Sequence, residues 1–317
     1  MSEHPGNARF ATTAIPDLSG RTAIVTGASG GLGAETARSL ARMGAHVIFA
    51  VRDVVKGRDI VARTPGNSEV RWLDLSDLAS VHAFADTVTE PVDILINNAG
   101  IMAVPLARTV DGFELQIGTN HLGHFALTQL LLPLVRDRVV TVSSQLHRRG
   151  RIDLRDLNWE RRRYDPLGAY SASKLANVLF TFELQRNLDQ AGSPVRAVTA
   201  HPGIASTQLA RRAGGASALI DRYLGWAFND ARQGALSILY AATQDVPRGA
   251  YVGPLGLGHL RGRPGVHHPS KASQDPAMAY ELWELSAALT KTMPTALPVA
   301  AHGGQPEPRG SRSVHVS

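Results

Sequence analysis

Short runs of apolar and β-branched residues alternate along this chain with longer stretches of helical composition, and no other feature restricts its fold so much. Thr22-Ala-Ile-Val-Thr26, His46-Val-Ile-Phe-Ala-Val51, Glu69-Val-Arg-Trp-Leu73, Val92-Asp-Ile-Leu-Ile96 and Val195 to Ala200 read as strands, with Tyr251-Val-Gly-Pro254 as the last. Strands joined by crossover helices pair in parallel and need helices on both faces to cover them. The expectation is an α/β fold: a single doubly wound parallel sheet of about seven strands, carried by residues 18–293.

The first strand runs into Gly27-Ala-Ser-Gly-Gly-Leu-Gly33, after which Ala34 to Met43 has helical composition. Glycines between a strand and a helix let the backbone approach a pyrophosphate, and they aim amide N–H groups and the positive end of the helix dipole at it. A Gly-x-x-x-Gly-x-Gly spacing also serves as a purely structural turn. The second strand ends in Arg52, where dinucleotide folds face the adenosine ribose. An arginine there pairs with a 2′-phosphate, so NADP(H) is expected over NAD(H), unless the adjacent Asp53 takes the ribose position. Asp74 closes the third strand, placed either to accept from an adenine amino group or to cap the helix that begins near Ser76 or Asp77. Asn97-Asn-Ala-Gly100 follows the fourth strand as a tight turn with amides free to bind backbone.

Tyr170 and Lys174 are four residues apart in an apolar-rich run, so on a helix they share one face. A phenol with a pKa of about 10 gives up its proton reluctantly, and a nearby ammonium lowers that pKa. Such a pair suits proton transfer to or from an alcohol oxygen.

The 317 residues include no cysteine, which excludes disulfides, thiolate nucleophiles and Cys-based zinc sites. No signal-peptide run opens the chain, and no uncharged apolar stretch reaches the ~20 residues that span a bilayer, so a cytoplasmic protein without a membrane-spanning segment is expected. The net charge of +6 is concentrated in one place: Arg148, Arg149, Arg151, Arg155, Arg161, Arg162 and Arg163 stand against Asp153, Asp156 and Glu160. Only Trp159 and Tyr164 lie near, too few rings for a stacking nucleic-acid module, so the 147–165 insertion reads as a solvated surface segment and no nucleic acid is expected. A phosphate-rich partner or an anionic lipid surface is the alternative. His121 and His124 share a helix face but lack an acidic partner at zinc-protease spacing, and no metal site is expected.

Taken jointly, Thr26-Gly27-x-x-x-Gly31-x-Gly33, Asp74-Leu-Ser, Asn97-Asn-Ala-Gly100, Asn120, Ser143-Ser144, Tyr170-x-x-x-Lys174 and Pro202-Gly203 resemble the short-chain dehydrogenase/reductase family, over roughly residues 18–290. Asn120-His-Leu-Gly-His-Phe-Ala-Leu-Thr-Gln-Leu-Leu-Leu-Pro is most similar to its retinol-dehydrogenase branch. Protochlorophyllide reductases are similar too, but their catalysis is associated with a cysteine.

The resemblance implies a Rossmann domain that interconverts a carbonyl and its alcohol, with Tyr170 as general acid or base and Lys174 lowering its pKa and binding the nicotinamide ribose. It implies Ser144, rather than Ser143, as donor to the substrate oxygen, and Asn120 as holder of a water that relays protons from Lys174. Cofactor contacts are implied for Gly27, Ser29, Gly31, Leu32, Gly33, Arg52, Asp74, Leu75, Asn98, Ala99, Gly100, Pro202, Gly203, Ile204 and Thr207. A homodimer built through the Gly112-to-Val135 and Tyr170 helices is a further implication.

The interval from Ser144 to Tyr170 is longer than in many family members, and the arginine-rich insertion fills it near the substrate entrance. Residues 205–230 are apolar enough for a mobile lid over a lipophilic substrate, or for an ordinary packed helix. Residues 1–17 are expected to be flexible and 294–317 disordered. A non-catalytic dinucleotide sensor would lack Tyr170, Lys174 or Ser144, all of which are present. A basic scaffold for nucleic acid or anionic lipid could coexist with catalysis.

Overall fold

The computed structural model describes residues 15–203 and 231–292. In chain order the main elements are β1 (Thr22–Thr26), α1 (Gly31–Arg42), β2 (His46–Val51), α2 (Val54–Val61), β3 (Ser68–Trp72), α3 (Leu78–Asp86), β4 (Val92–Asn97), α4 (Leu115–Ile117), α5 (Gly123–Leu131), β5 (Val135–Val142), α6 (Pro166–Gln190), β6 (Arg196–Ala200), α7 (Ala231–Thr243), β7 (Tyr251–Pro254), β8 (Pro264–Val266) and α8 (Pro276–Thr290). The strands lie in the order β3-β2-β1-β4-β5-β6-β7-β8, parallel except for β8, which pairs antiparallel with β7. The sheet therefore has one strand more than expected; three residues that include a proline and a glycine give no periodic signal.

Successive residues of a strand face opposite sides of the sheet, and each side has its own core. Val25, Phe49, Ile96, Val140 and Val198 pack on one face with Leu40 of α1 and Ile238 and Leu239 of α7. Ile24, Ile48, Leu95 and Val139 pack on the other with Phe84 of α3, Phe125 of α5 and Phe180 and Leu184 of α6. The strand order reverses between β1 and β4, and the crevice at their carboxyl ends is where doubly wound sheets bind ligands.

The 112–135 region is not one helix. Glu114 caps the short α4 by accepting from the Gln116 and Ile117 amides, and a π-helical turn, Gly118–Leu122, joins α4 to α5. Asn120 lies in that turn, and such turns often mark functional sites.

Helix α8 adds a third layer. Ala279 and Leu282 pack on Ile117, Leu175 and Leu179, while Trp283 stacks on Phe180 at 5.8 Å and meets Phe125 edge-on at 5.0 Å. Every residue of α6 from Ala169 to Thr181 is consequently buried. The chain's own carboxyl-terminal helix thus packs on part of the helices expected to carry a homodimer.

At the amino-terminal edge Ile15 and Leu18 are buried, and the Leu18 amide donates to the Met43 carbonyl at 2.7 Å, so the end of the segment expected to be flexible is packed. Residues 1–14, Ile204, Thr207, the 205–230 stretch and the 294–317 tail fall outside the described residues.

Candidate active site

Thr26, the last residue of β1, ties the switch point together. Its hydroxyl accepts from the Asn98 and Ala99 amides, both at 2.9 Å, and meets His124 Nε2 at 2.9 Å. His124 Nδ1 lies 3.0 Å from the Asn120 carbonyl, which can only accept, so Nδ1 carries the hydrogen and Nε2 accepts from Thr26. Burial holds His124 at a pKa of about 3, hence neutral. Gly27 at φ +67 lies so close to Ala99 that a Cβ would come within 2.9 Å of its Cα, and one on Gly33 would come within 2.5 Å of the Gly27 oxygen and 2.4 Å of Asn98 Nδ2. Strand, turn and helix therefore approach as only glycine allows, and Gly30, which precedes α1, leaves it without a side-chain cap. These features fit a pyrophosphate at the amino-terminal end of α1. Ser29, Gly31 and Leu32 line the same turn, and the buried Leu75 lies under Gly123.

Beyond the turn, Arg52 is exposed at the end of β2. Asp53 is committed elsewhere: it caps α2 by accepting from the Lys56 amide at 3.0 Å. Lys56 was not singled out from the sequence, yet its Nζ lies 3.3 Å from where a Cβ on Gly30 would be. Its position over the glycine turn depends on α2 folding back toward α1, which no local pattern reports. Asp74 Oδ1 accepts from the Ser76 amide and hydroxyl at 2.9 and 2.7 Å, while Asp77 caps α3.

The four expected catalytic residues converge. Asp165 and Pro166 start α6, which carries Tyr170 and Lys174 into the interior, with 6% and 4% of their surfaces exposed. Ser144 lies beside the Tyr170 phenol and pulls its pKa down while accepting from the Leu146 amide at 3.2 Å, whereas Ser143 points away and donates to the Lys174 carbonyl at 2.8 Å. Asn120 accepts from the Ile101 amide at 2.8 Å and donates to the Ile101 carbonyl and Ser173 Oγ, each at 2.9 Å. Its amide hydrogens are thereby spent, leaving one oxygen lone pair for the expected water. A Cβ on Gly100 would touch both Asn120 Oδ1, at 3.2 Å, and Lys174 Nζ, at 3.4 Å.

The expected lowering of the phenol is not what the packing produces. Burial pushes the Tyr170 phenol up to about 12 against a smaller opposing effect from Ser144, and the same burial brings Lys174 down to about 8. The ammonium lies 5.8 Å from the ring centroid and donates to the Val142 carbonyl at 3.0 Å, and desolvation dominates both groups.

A profile of the short chain dehydrogenase family matches residues 21–216. The chain belongs to the short-chain dehydrogenase family. It is similar to the polyprenol dehydrogenase of Mus musculus, 44% identical over 250 residues that cover 74% of each chain. It is 43% identical to retinol dehydrogenase 11 of Homo sapiens over 247 residues, 73% of this chain and 75% of the relative. A solved structure of an uncharacterized protein from Mycobacterium Paratuberculosis superposes with a TM-score of 0.81 at 54% identity, covering 90% of this chain and 99% of that one. This short-chain dehydrogenase is accordingly a retinol-dehydrogenase-like oxidoreductase of the carbonyl/alcohol pair that works with a nicotinamide dinucleotide.

Around the far end of this dehydrogenase's site stands a histidine network that the sequence did not flag. His147 lies 2.8 Å from the Ser144 carbonyl through Nδ1 and accepts from the Ser270 amide at 3.1 Å through Nε2, which fixes its tautomer and holds the Ser144 backbone. His201, next to Pro202 and Gly203, accepts from the Gly203 amide at 3.2 Å and faces His267 Nε2 at 3.0 Å; His267 stacks on His259 at 4.1 Å. Burial keeps His147 and His267 neutral, each with a pKa of about 4. A histidine immediately before Pro202-Gly203 was the available signal for this network. Its partners His259 and His267, on either side of β8, were not.

Proposed function

We propose that this short-chain dehydrogenase uses NADP(H) to reduce a lipophilic aldehyde or ketone and to run the reverse oxidation of the alcohol, with Tyr170 as proton carrier. The observation that carries the reading is the convergence of Ser144 on the Tyr170 phenol, with Lys174 buried one helical turn on. When bound, the nicotinamide supplies or accepts the hydride.

In reduction, Ser144 Oγ and Tyr170 Oη donate to the carbonyl oxygen, and the phenol proton passes to that oxygen as negative charge develops there. Lys174 compensates the phenolate left behind in a dry site, and the water held by Asn120 returns a proton through it. Arg52 and Lys56 take the 2′-phosphate, which is the basis for NADP(H) over NAD(H). Gly27, Ser29, Gly31, Leu32 and Gly33 hold the pyrophosphate, Asp74 and Leu75 the adenine side, and Asn98, Ala99, Gly100, Pro202, Gly203, Ile204 and Thr207 the nicotinamide half. Two relatives are named for polyprenol and retinol, both apolar alcohols, which supports a lipophilic substrate.

The test follows NADPH consumption over aldehydes and ketones of increasing chain length, retinal included, with Tyr170→Phe alongside. The variant is expected to lose about 10² to 10⁴ in kcat while still binding NADPH. A variant as active as the wild type would overturn the assignment of Tyr170.

A further inference from the structure

The arginines of residues 148–163 play no part in this chemistry, yet the fold presents them on an ordered surface. The segment's acidic groups are all engaged. Asp153 accepts from the Arg155 amide, Asp156 from the Glu160 and Arg161 amides and pairs with Arg162, Glu160 lies 4.0 Å from Arg108, and Asp165 accepts from the Leu167 amide. Arg149, Arg151, Arg155, Arg161 and Arg163 remain exposed, and among the described residues none of their guanidinium groups has an acidic partner.

The segment is also anchored. Leu157 is buried on α6, Asn158 Oδ1 accepts from the Glu114 amide at 3.0 Å, and Tyr164 Oη lies 2.9 Å from Glu114 and 3.1 Å from the Val104 carbonyl. The arginines therefore project from an ordered frame, which begins at Ser144 and ends just before Tyr170.

We propose that residues 148–163 dock this dehydrogenase on an anionic membrane surface, with the substrate entrance turned toward the bilayer. Two observations favour lipid over nucleic acid. Trp159, the ring a base would stack on, is covered by Arg162 at 3.8 Å and by the edge of Tyr164 at 5.5 Å. Leu106 and Leu167 are 48% and 40% exposed beside the insertion, where Tyr164 holds Val104 and Gln116 holds Pro166, and they supply apolar contacts for the headgroup boundary. The purpose of docking rests on the lipophilic-substrate reading; the binding itself rests on the arginines.

Each arginine near an anionic surface strengthens binding about fivefold, so the five together act on the order of a thousandfold. The full chain is sedimented with phosphatidylcholine vesicles, with and without phosphatidylserine, at low and raised salt. Binding is expected only with phosphatidylserine, weakening as salt rises. A variant with all five arginines changed to Ser is expected to lose more than a hundredfold in vesicle binding while keeping turnover of a water-soluble aldehyde. L106S/L167S, which removes the apolar contacts without changing charge, is expected to weaken vesicle binding and leave binding of a single-stranded oligonucleotide unchanged. Absence of vesicle binding at low salt, undiminished binding by the five-Ser variant, or tighter binding to the oligonucleotide than to vesicles would each overturn the proposal. Vesicle binding without turnover of any carbonyl counts against the reductase reading and leaves the docking intact, so the two fail separately.

Discussion

Burial acts on Tyr170 and Lys174 in opposite directions, raising the phenol to about 12 and lowering the amine to about 8. At neutral pH the phenol is therefore protonated, ready to act as an acid, while its conjugate base is scarce. Alcohol oxidation, which needs the base, is expected to accelerate with pH through the alkaline range, while carbonyl reduction falls above about pH 8 as Lys174 loses the charge that compensates the phenolate; pH–rate profiles in both directions check this. The same scale decides cofactor choice. Arg52→Ala and Lys56→Ala are each expected to raise KM for NADPH about tenfold to a hundredfold, with KM for NADH little changed. Asp53→Ala should cost about 1 kcal/mol of stability, as a lost helix cap does, without altering the preference. An altered preference in that variant would return Asp53 to the ribose site. Arg52 was legible because a strand end is a local feature. Lys56 was not, because its relevance comes from the packing of α2 on the glycine turn.

Among the elements, β7 is the one whose sequence says least about its task. Gly253 sits where a Cβ would lie 2.0 Å from His201 Nε2 and 2.6 Å from His267 Nε2, so the glycine makes room for the histidine pair that supports Pro202 and Gly203. Both imidazoles are held by other contacts and cannot retreat freely. Gly253→Ala is expected to cost about 1 to 3 kcal/mol, as overpacking does, and to raise KM for NADPH; thermal unfolding and steady-state kinetics check the two effects. A similar gap separates pattern from structure in the 112–135 region. Helical periodicity was legible there, but the π turn that brings the Asn120 side chain to Ile101 and Ser173 depends on contacts with a loop and with α6.

For the whole molecule, α8 and the buried histidines set two properties. Because α8 packs on part of α5 and α6, the protein is expected to run as a monomer near 33.9 kDa in size-exclusion chromatography with light scattering. Burial holds His121 at about 4 and His124 at about 3, below the unfolded value near 6.5. Below pH 6.5 the unfolded chain binds more protons than the folded one, so their contribution is complete above that pH and is lost as pH falls toward 4. Each contributes a slope of about 1.4 kcal/mol per pH unit in that window. Urea midpoints measured from pH 7 to 4.5 should fall accordingly, and a flat profile would show that these imidazoles are not held neutral.

The alternation of strands and helices up to β7, the glycine turn at the switch point and the four-residue spacing of Tyr170 and Lys174 were determined by the sequence alone, because each is a local pattern that the chain displays within a few residues. The protonation of Tyr170, the tautomers of His124 and His147, the reach of Lys56 and the packing of α8 on α5 and α6 were decided only by the tertiary structure. Each depends on desolvation or on a partner from a distant part of the chain, such as Val142 for Lys174 or Trp283 for Phe180, and such distances exist only once the sheet has assembled.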